Sequence, residues 1–167
     1  KGVYPECWAD VIIPPTIGAH SVKSIWTNAF RHKGLTWLTI PNSVTSIRYG
    51  AFSDNQLTSV IIPNSVTNLS GSVFMSNKLT SIIIPDSVTS LEYAAFRRNK
   101  LTSVIIWNSV PELQNHVFSE NQLTSVTIPN SVTKIGNYAF GRGYLTWLIL
   151  PYSVKEIGQN AFTSNQI

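Results

Sequence analysis

The chain has 167 residues, of which 43% are hydrophobic and only 12% are charged, and its formal net charge is +4. The apolar fraction excludes general disorder, and so small a charge does not by itself indicate a nucleic-acid-binding protein. A single cysteine, Cys7, excludes an intrachain disulfide framework and a cysteine-rich zinc site. No unbroken apolar run exceeds the four residues of 104–107, which is far too short for a transmembrane helix.

Residues 1–34 are predicted to form an N-terminal cap that carries one irregular repeat. This segment contains the second half of a motif that recurs later in the chain, as Ser21-Val22, Ile25 and Ala29-Phe30. The stretch before it, residues 11–20, is about five residues too long for that motif. We therefore treat this segment as separate from the regular array.

From Leu35 onward the sequence repeats every 22 residues. Each copy opens with a leucine and carries Ser-Val and Phe at fixed later positions; the opening leucines are Leu35, Leu57, Leu79, Leu101, Leu123 and Leu145. Residues 35–167 are predicted to be six 22-residue repeats plus Ile167 as the first residue of a seventh. A unit this short cannot bury its apolar side chains alone, so stacked copies should form one continuous solenoid domain.

Within each copy, apolar and other residues alternate after the opening leucine, as in a β-strand with one buried face. In the second copy, Val60 and Ile62 are expected to point inward and Ile61 outward. The pattern predicts one strand per copy near residues 36–40, 58–62, 80–84, 102–106, 124–128 and 146–150. Pro63 then turns the chain, and the segment around Phe74 is expected to close the coil in a short helical or 3₁₀ turn.

The repeated residues Leu-Thr-Ser-Val-x-Ile-Pro-Asn-Ser-Val-Thr-x-Ile-x-x-x-Ala-Phe resemble the BspA-like, or Treponema pallidum-type, class of leucine-rich repeats. The resemblance covers residues 35–167 well and 11–34 in part. It implies a leucine-rich repeat solenoid: a right-handed curved coil with a concave parallel β-sheet of short strands and a convex side of turns and short 3₁₀ or helical segments. It also implies bacterial or protist surface proteins that act as adhesins on host matrix, host cells or other microbes, and thus an extracellular or cell-surface location.

Two polar columns are predicted to be structural. The serine column has no paired base, so a hydroxyl ladder that bonds the backbone is expected rather than a row of nucleophiles; its members are Ser43, Ser65, Ser87, Ser109, Ser131 and Ser153. The asparagine column is expected to be a loop ladder or a position that tolerates left-handed backbone, which Gly143 would also suit; its members are Asn55, Asn77, Asn99, Asn121 and Asn165.

Apolar residues in the outward strand columns are candidate ligand-binding residues, because contiguous exposed apolar side chains on a sheet usually mark a contact surface. They are Trp37, Ile61, Ile83, Ile105 and Trp147. The tryptophans are predicted to lie near the two ends of this surface, roughly 24 Å apart at ordinary strand spacing. Trp107, in place of a strand-ending proline, and Tyr152, in place of an asparagine, extend the set. The alternative is that isoleucine merely suits strands, which explains the tryptophans poorly.

Positive charge concentrates in the loops before the strands, which hold seven basic residues against two acidic ones. The candidate ligand-binding residues here are Arg31, Arg97, Arg98, Arg142 and the neighbouring Tyr144. Cations beside aromatic rings suit anionic glycans, acidic proteins or phosphate-bearing polymers. The alternative is a solvated edge that keeps a charge-poor protein soluble. A third variable set, at the convex turn, includes Arg48-Tyr49, Glu92-Tyr93, Gln114-Asn115-His116 and Asn137-Tyr138.

Catalysis is not expected, because the three histidines occupy different repeat phases and no nucleophile, phosphate-binding or metal-ligand motif is present. We predict no catalytic residue, no metal site and no cofactor. The predicted function is a non-catalytic extracellular binding or adhesion module that recognises a protein or anionic glycan through the concave sheet and its basic loop edge, with no specific nucleic-acid partner. The alternatives are a passive spacer of a larger surface protein and a diversified or engineered repeat-scaffold binder. The uncapped last copy also predicts self-association through the C-terminal end.

Overall fold

The structure, a computed structural model, describes residues 10–167 as about six turns of a parallel β-solenoid. In the regular array, two pairs of first-row strands are parallel and 22 residues apart, as in Ser81 with Ser103 and Ser125 with Trp147. Each copy of the repeat is therefore one coil. The first row contains Asp10–Ile12, Trp37–Thr39, Ser81–Ile84, Ser103–Ile106, Ser125–Thr127 and Trp147–Ile149.

The first row is interrupted in the second copy, because residues 58–62 form no strand. The strand prediction is wrong there, although the direction of the side chains is as expected. Ile62 is buried and Ile61 is exposed, while Val60 is partly buried. Alternating side chains specify which residues face the core, but they do not ensure that the backbone of neighbouring coils pairs.

A second row of two-residue parallel strands lies later in each coil, where the sequence predicts no strand. Its members are Ser24–Ile25, Ser46–Ile47, Asn68–Leu69, Ser90–Leu91, Glu112–Leu113, Lys134–Ile135 and Glu156–Ile157. The expected helical turn near Phe74 is instead a pair of hydrogen-bonded turns, in which Val73 donates to Ser70 and Met75 donates to Ser72. No helix among residues 10–167 is long and apolar enough to cross a membrane.

The second row is split between Ser90–Leu91 and Glu112–Leu113, and Pro111 explains the split. In neighbouring coils a threonine at this position donates its backbone N–H to the preceding coil, as Thr89 and Thr133 do, both at 2.9 Å. Pro111 has no N–H group and cannot make this bond. A crevice of about 110 Å³ opens between the two coils at this point.

A β-hairpin interrupts the first coil that the structure describes. Thr16–Ile17 pairs antiparallel with His20–Ser21, and Gly18 has a φ of +60° at the tip, a conformation that glycine adopts without strain. Asp10 pairs with Trp37, and the number of residues between them is larger than the 22-residue step of the array. The hairpin contains the additional residues of this first connection. Residues 1–9, with Cys7 and the start of the expected cap, lie outside the described residues, and the domain division stays a prediction.

A column of stacked phenylalanine rings runs through the core. Successive ring centroids lie 5.4–5.8 Å apart, with interplanar angles of 3–22°. The column consists of Phe30, Phe52, Phe74, Phe96, Phe118, Phe140 and Phe162. The opening leucines of the copies are also buried, so both columns bury each coil against the next.

The asparagine column is a loop ladder, as the sequence predicts. The Oδ1 atom of Asn99 accepts a hydrogen bond from the N–H of Leu79 at 3.1 Å, and its Nδ2 donates to the carbonyls of Phe74 (2.9 Å) and Phe96 (3.1 Å). The other asparagines make equivalent bonds in their own coils. The left-handed alternative is wrong: positive φ angles occur at the preceding position, as in Arg98, and Gly143 does not have one.

The serine column also behaves as predicted in the middle of the array. The hydroxyls of Ser87, Ser109 and Ser131 donate to backbone carbonyls of the preceding coil at 2.7–3.0 Å, and Ser65 does the same. The hydroxyls of the end members, Ser43 and Ser153, have no partner within residues 10–167. A structural role accounts for the four middle serines, since their hydroxyls are engaged with the backbone.

Candidate binding surface

The outward side chains of the first row form an apolar surface, here called the first-row face. Ile61 is 83% exposed, and the other predicted members, Trp37, Ile83, Ile105 and Trp147, are 50–56% exposed. The intervening inward residues are buried or partly buried along the same segments. The period of two therefore places the predicted side chains in solvent, as expected.

Three of the predicted residues meet in one groove of about 490 Å³. Ile61, Ile83 and Trp107 line it together with Pro85 and Asp86. Trp107 occupies the repeat position that Pro85 occupies one coil earlier, and its indole is 54% exposed. This groove is open and mostly apolar, so it suits the apolar side chains of a ligand.

The other predicted members lie outside the groove. Ile105 is the register partner of Ile83 and extends the apolar surface by one strand. Trp37 and Trp147 belong to two separate strand pairs at other positions along the stack. Tyr152 is fully exposed and Tyr144 is 53% exposed, and neither lines the groove.

The backbone on one side of the groove is unpaired. Residues 59–62 make no backbone hydrogen bond to any other described residue, whereas Ser81–Ile84 on the other side pairs with the next strand. Because backbone N–H and C=O groups need partners, the groove combines exposed apolar side chains with a segment whose backbone has no partner among the described residues.

The basic loop edge carries less free charge than its composition indicates. The Nε atom of Arg31 donates to Asp54 at 2.9 Å. Arg97 and Arg98 both bond to the carboxylate of Glu120, each through its Nε at 2.9 Å. Burial alone would raise the pKa of Glu120, but hydrogen bonds from the two arginines outweigh it and hold that pKa below its ordinary value.

Arg142 keeps the most freedom among the predicted arginines. Its Nη1 atom lies 3.9 Å from the Glu120 carboxylate, and its side chain is 69% exposed. Arg98 is 53% exposed, whereas the Arg97 side chain is only 21% exposed. The edge therefore presents a compact cluster of cations around Glu120 rather than an even row.

A polar pocket lies beside this cluster and is here called the His116 pocket. It is not among the sites that the sequence predicts. It has a volume of about 150 Å³ and is lined by Arg97, His116, Ser119, Glu120, Tyr138, Gly141 and Arg142. The His116 ring stacks on Tyr138 at 5.0 Å, and Tyr93 meets it edge-on at 5.7 Å. The sequence does contain one indication of this pocket. His116 and Tyr138 occupy a repeat position at which the other copies have small or amide residues, such as Ala94.

A second aromatic site escaped the sequence reasoning near the N-terminal end of the described chain. The Arg48 guanidinium lies 4.5 Å from the centre of the Trp26 ring, a cation–π distance. Trp26 is 65% exposed and lines an apolar groove of about 400 Å³ with Ile12 and Ile17. Among residues 10–167, no group of three or more His, Cys, Asp or Glu side chains is arranged to hold a metal ion.

Comparisons with solved structures show similarity in fold. The pneumococcal vaccine antigen PcpA superposes with a TM-score of 0.72 at 19% identity, over 86% of this chain and 40% of PcpA. A leucine rich cell surface protein from Faecalibacterium prausnitzii A2-165 has a TM-score of 0.57 at 22% identity, over 96% of this chain and 46% of that protein. The T. pallidum leucine rich repeat protein has a TM-score of 0.55 at 21% identity, over 90% of this chain and 73% of that protein. The chain spans less than half the length of the first two.

Sequence comparison is more specific than these structural similarities. No curated protein matches the chain. The family described as BspA type leucine rich repeat region matches it in six copies, over residues 9–124 and 112–167. These matches cover nearly the whole array of coils. The chain therefore belongs to the BspA-type leucine-rich repeat family.

Proposed function

We propose that the chain is a non-catalytic binding module of the cell surface whose first-row face recognises a protein ligand. The observation that carries this proposal is the groove in which Ile61, Ile83 and Trp107 stand exposed together. Strand propensity accounts for exposed isoleucines, but not for an exposed indole in place of a turn proline. Clustered apolar residues with a tryptophan are typical of the energetic centre of a protein interface.

The location and the basic edge are part of the same proposal. A similar solved structure is described as a cell surface protein, which supports an extracellular or surface location for this chain. The cations around Glu120 would add long-range attraction for an acidic partner, and salt would weaken that attraction. A passive spacer, the alternative function, requires a stable stack but no exposed groove.

Selection of peptide ligands tests the proposal directly. A phage-displayed library of random peptides is panned against the immobilised chain, and enriched peptides are titrated against variants. Ile83→Thr and Trp107→Ala should each weaken binding by about tenfold or more. Ile149→Thr makes the same change in the same column but outside the groove, and should change binding by less than about twofold.

The outcomes separate the two functions. Enriched peptides that bind all variants equally would place the contact elsewhere and refute the role of the groove. Failure to enrich any related peptides would favour the spacer. Binding that persists at high salt is expected for the first-row face, whereas loss at moderate salt would indicate the basic edge.

A further inference from the structure

The His116 pocket is an opening in the stack that a glycine maintains. Gly141 forms part of its lining. A Cβ atom at this glycine would lie 3.3 Å from Cδ1 of Tyr138 and 3.4 Å from Cγ2 of Thr163. These contacts are at or near the tight limit for real side chains, so a larger residue would crowd the pocket.

The pocket carries excess positive charge. Two arginines, Arg97 and Arg142, line it with the single carboxylate of Glu120, so one positive charge is balanced and one remains. Arg98 bonds to the same carboxylate from outside the lining and adds a third cation nearby. Because Arg142 is the most exposed of the three and makes only the longest contact, it can turn toward a ligand without breaking a strong ion pair.

Neutral hydrogen-bonding groups complete the lining. The Tyr138 hydroxyl accepts a hydrogen bond from Nδ2 of Asn160 at 2.7 Å, which leaves its own proton free to donate. His116 lies between the rings of Tyr93 and Tyr138, and its Nδ1 is 3.4 Å from the Ser119 hydroxyl. The pocket therefore offers cationic and neutral donors around a space that fits one small anionic group.

We propose that the His116 pocket binds a sulfate or carboxylate group of an acidic polysaccharide. The inference deepens the proposed binding function, but it uses a surface separate from the groove of the first-row face. A nucleic acid would need a row of phosphate contacts, whereas the cations elsewhere on this edge are spread out or engaged. Arg31 is held by Asp54, and Lys78 bonds to Gln56.

Protonation of His116 should be coupled to binding. Burial lowers the pKa of His116, and the charges of Arg97 and Arg142 lower it further, while Glu120 acts in the opposite direction. An anion in the pocket would offset the repulsion from the arginines and favour the imidazolium form. Binding should therefore strengthen as pH falls, and the pKa of His116 should rise on saturation.

The repeat itself supplies conservative variants for the test. Arg142→Ser introduces the residue found at the same repeat position in Ser76 and Ser164, which share the positive φ. His116→Asn introduces the residue of Asn28 and Asn160, again with a positive φ. Lys78→Gln is the matched control, because it removes one loop cation outside the pocket.

The experiment titrates a heparin tetrasaccharide into each variant by calorimetry at fixed ionic strength. We expect Arg142→Ser and His116→Asn to weaken binding by about tenfold or more and Lys78→Gln by less than about threefold. A nuclear magnetic resonance titration of wild-type His116 should show its pKa rise with the tetrasaccharide. Equal weakening in all three variants, or an unchanged pKa, would overturn the proposal.

Further probes identify the source of the anion. Desulfated heparin keeps its carboxylates, so its binding shows whether a carboxylate suffices. If it does not bind, the pocket requires sulfate. In both cases the polysaccharide assignment stands if binding of the sulfated tetrasaccharide is weakened by Arg142→Ser. Sodium sulfate or a thymidine oligonucleotide that binds as tightly, with the same sensitivity, would overturn that assignment. Peptides selected on the first-row face should bind Arg142→Ser normally. If the wild-type chain binds the selected peptides but not the tetrasaccharide, the pocket is refuted and the groove is not. If it binds the tetrasaccharide but no peptide can be selected, the groove is refuted and the pocket is not.

Discussion

Removal of the Asn99 side chain tests whether the asparagine ladder stabilises the stack. In Asn99→Ala, the buried N–H of Leu79 loses the Oδ1 acceptor that now lies at 3.1 Å. The carbonyls of Phe74 and Phe96 also lose a donor, but each keeps a second donor from a neighbouring asparagine. The main effect is thus one unsatisfied buried N–H group.

The expected loss follows from these partners. An unsatisfied buried N–H costs about 1–3 kcal/mol, and loss of the two partly redundant donor bonds adds about 1 kcal/mol. The free energy of unfolding should therefore fall by about 2–4 kcal/mol. Asn99→Asp should lose at least as much at neutral pH, because it would place a carboxylate against two carbonyls.

Urea denaturation followed by circular dichroism measures this loss, and hydrogen exchange of the Leu79 amide localises it. Asn130→Ala is the control, because Asn130 is exposed and its loss should cost less than about 0.5 kcal/mol. A loss below about 1 kcal/mol for Asn99→Ala, or unchanged exchange at Leu79, would refute the reasoning.

Four further predictions concern single positions. Gly143→Asn would give Leu123, whose N–H has no acceptor among the described residues, a partner, but its Cβ would lie 2.7 Å from Oδ1 of Asn165; because the two effects oppose each other, the free energy of unfolding should change by less than about 1 kcal/mol, as the urea midpoint would show. Pro111→Thr restores the missing N–H of the second row and should raise it by about 0.5–1 kcal/mol; no increase would contradict that explanation of the split. Because the folded-state pKa of Glu120 is depressed, its stabilisation is present above the unfolded-state pKa and is lost as pH falls through the folded-state pKa, so the stabilities of wild type and Glu120→Gln should converge as pH falls from about 5 through that pKa. Trp147→Ser should change stability by less than about 0.5 kcal/mol, and a large drop in melting temperature would show that the indole supports the core.

The repeat step predicts which residues stack because it brings equivalent positions of successive coils together. Phe74, Leu79 and Ile62 are buried and Ile61 is exposed for this reason. The same step could have predicted that a loop arginine forms an ion pair with a carboxylate of the next coil, because Arg97 and Glu120 are 23 residues apart. That separation places them diagonally across adjacent coils.

Other features depend on geometry that residue types do not specify. The second-row strands are two residues long, too short for an alternating pattern. Residues with positive φ include Ala94, Tyr138 and Arg142, types that do not usually indicate left-handed backbone. Backbone bonds to the adjacent coils and the turns of the same coil hold these residues in place. The His116 pocket depends on such positions, which explains why sequence reasoning overlooked it.

The asparagine ladder also bears on how such genes change in length. Each asparagine bonds only to its own coil and the preceding coil, as Asn99 does. Insertion or deletion of one complete 22-residue unit gives every surviving asparagine an equivalent set of partners, whereas any other length shifts the whole ladder out of register. Unequal recombination between copies can therefore lengthen or shorten the array without a new core having to evolve. Gly143 shows that one missing rung is compatible with a continuous stack.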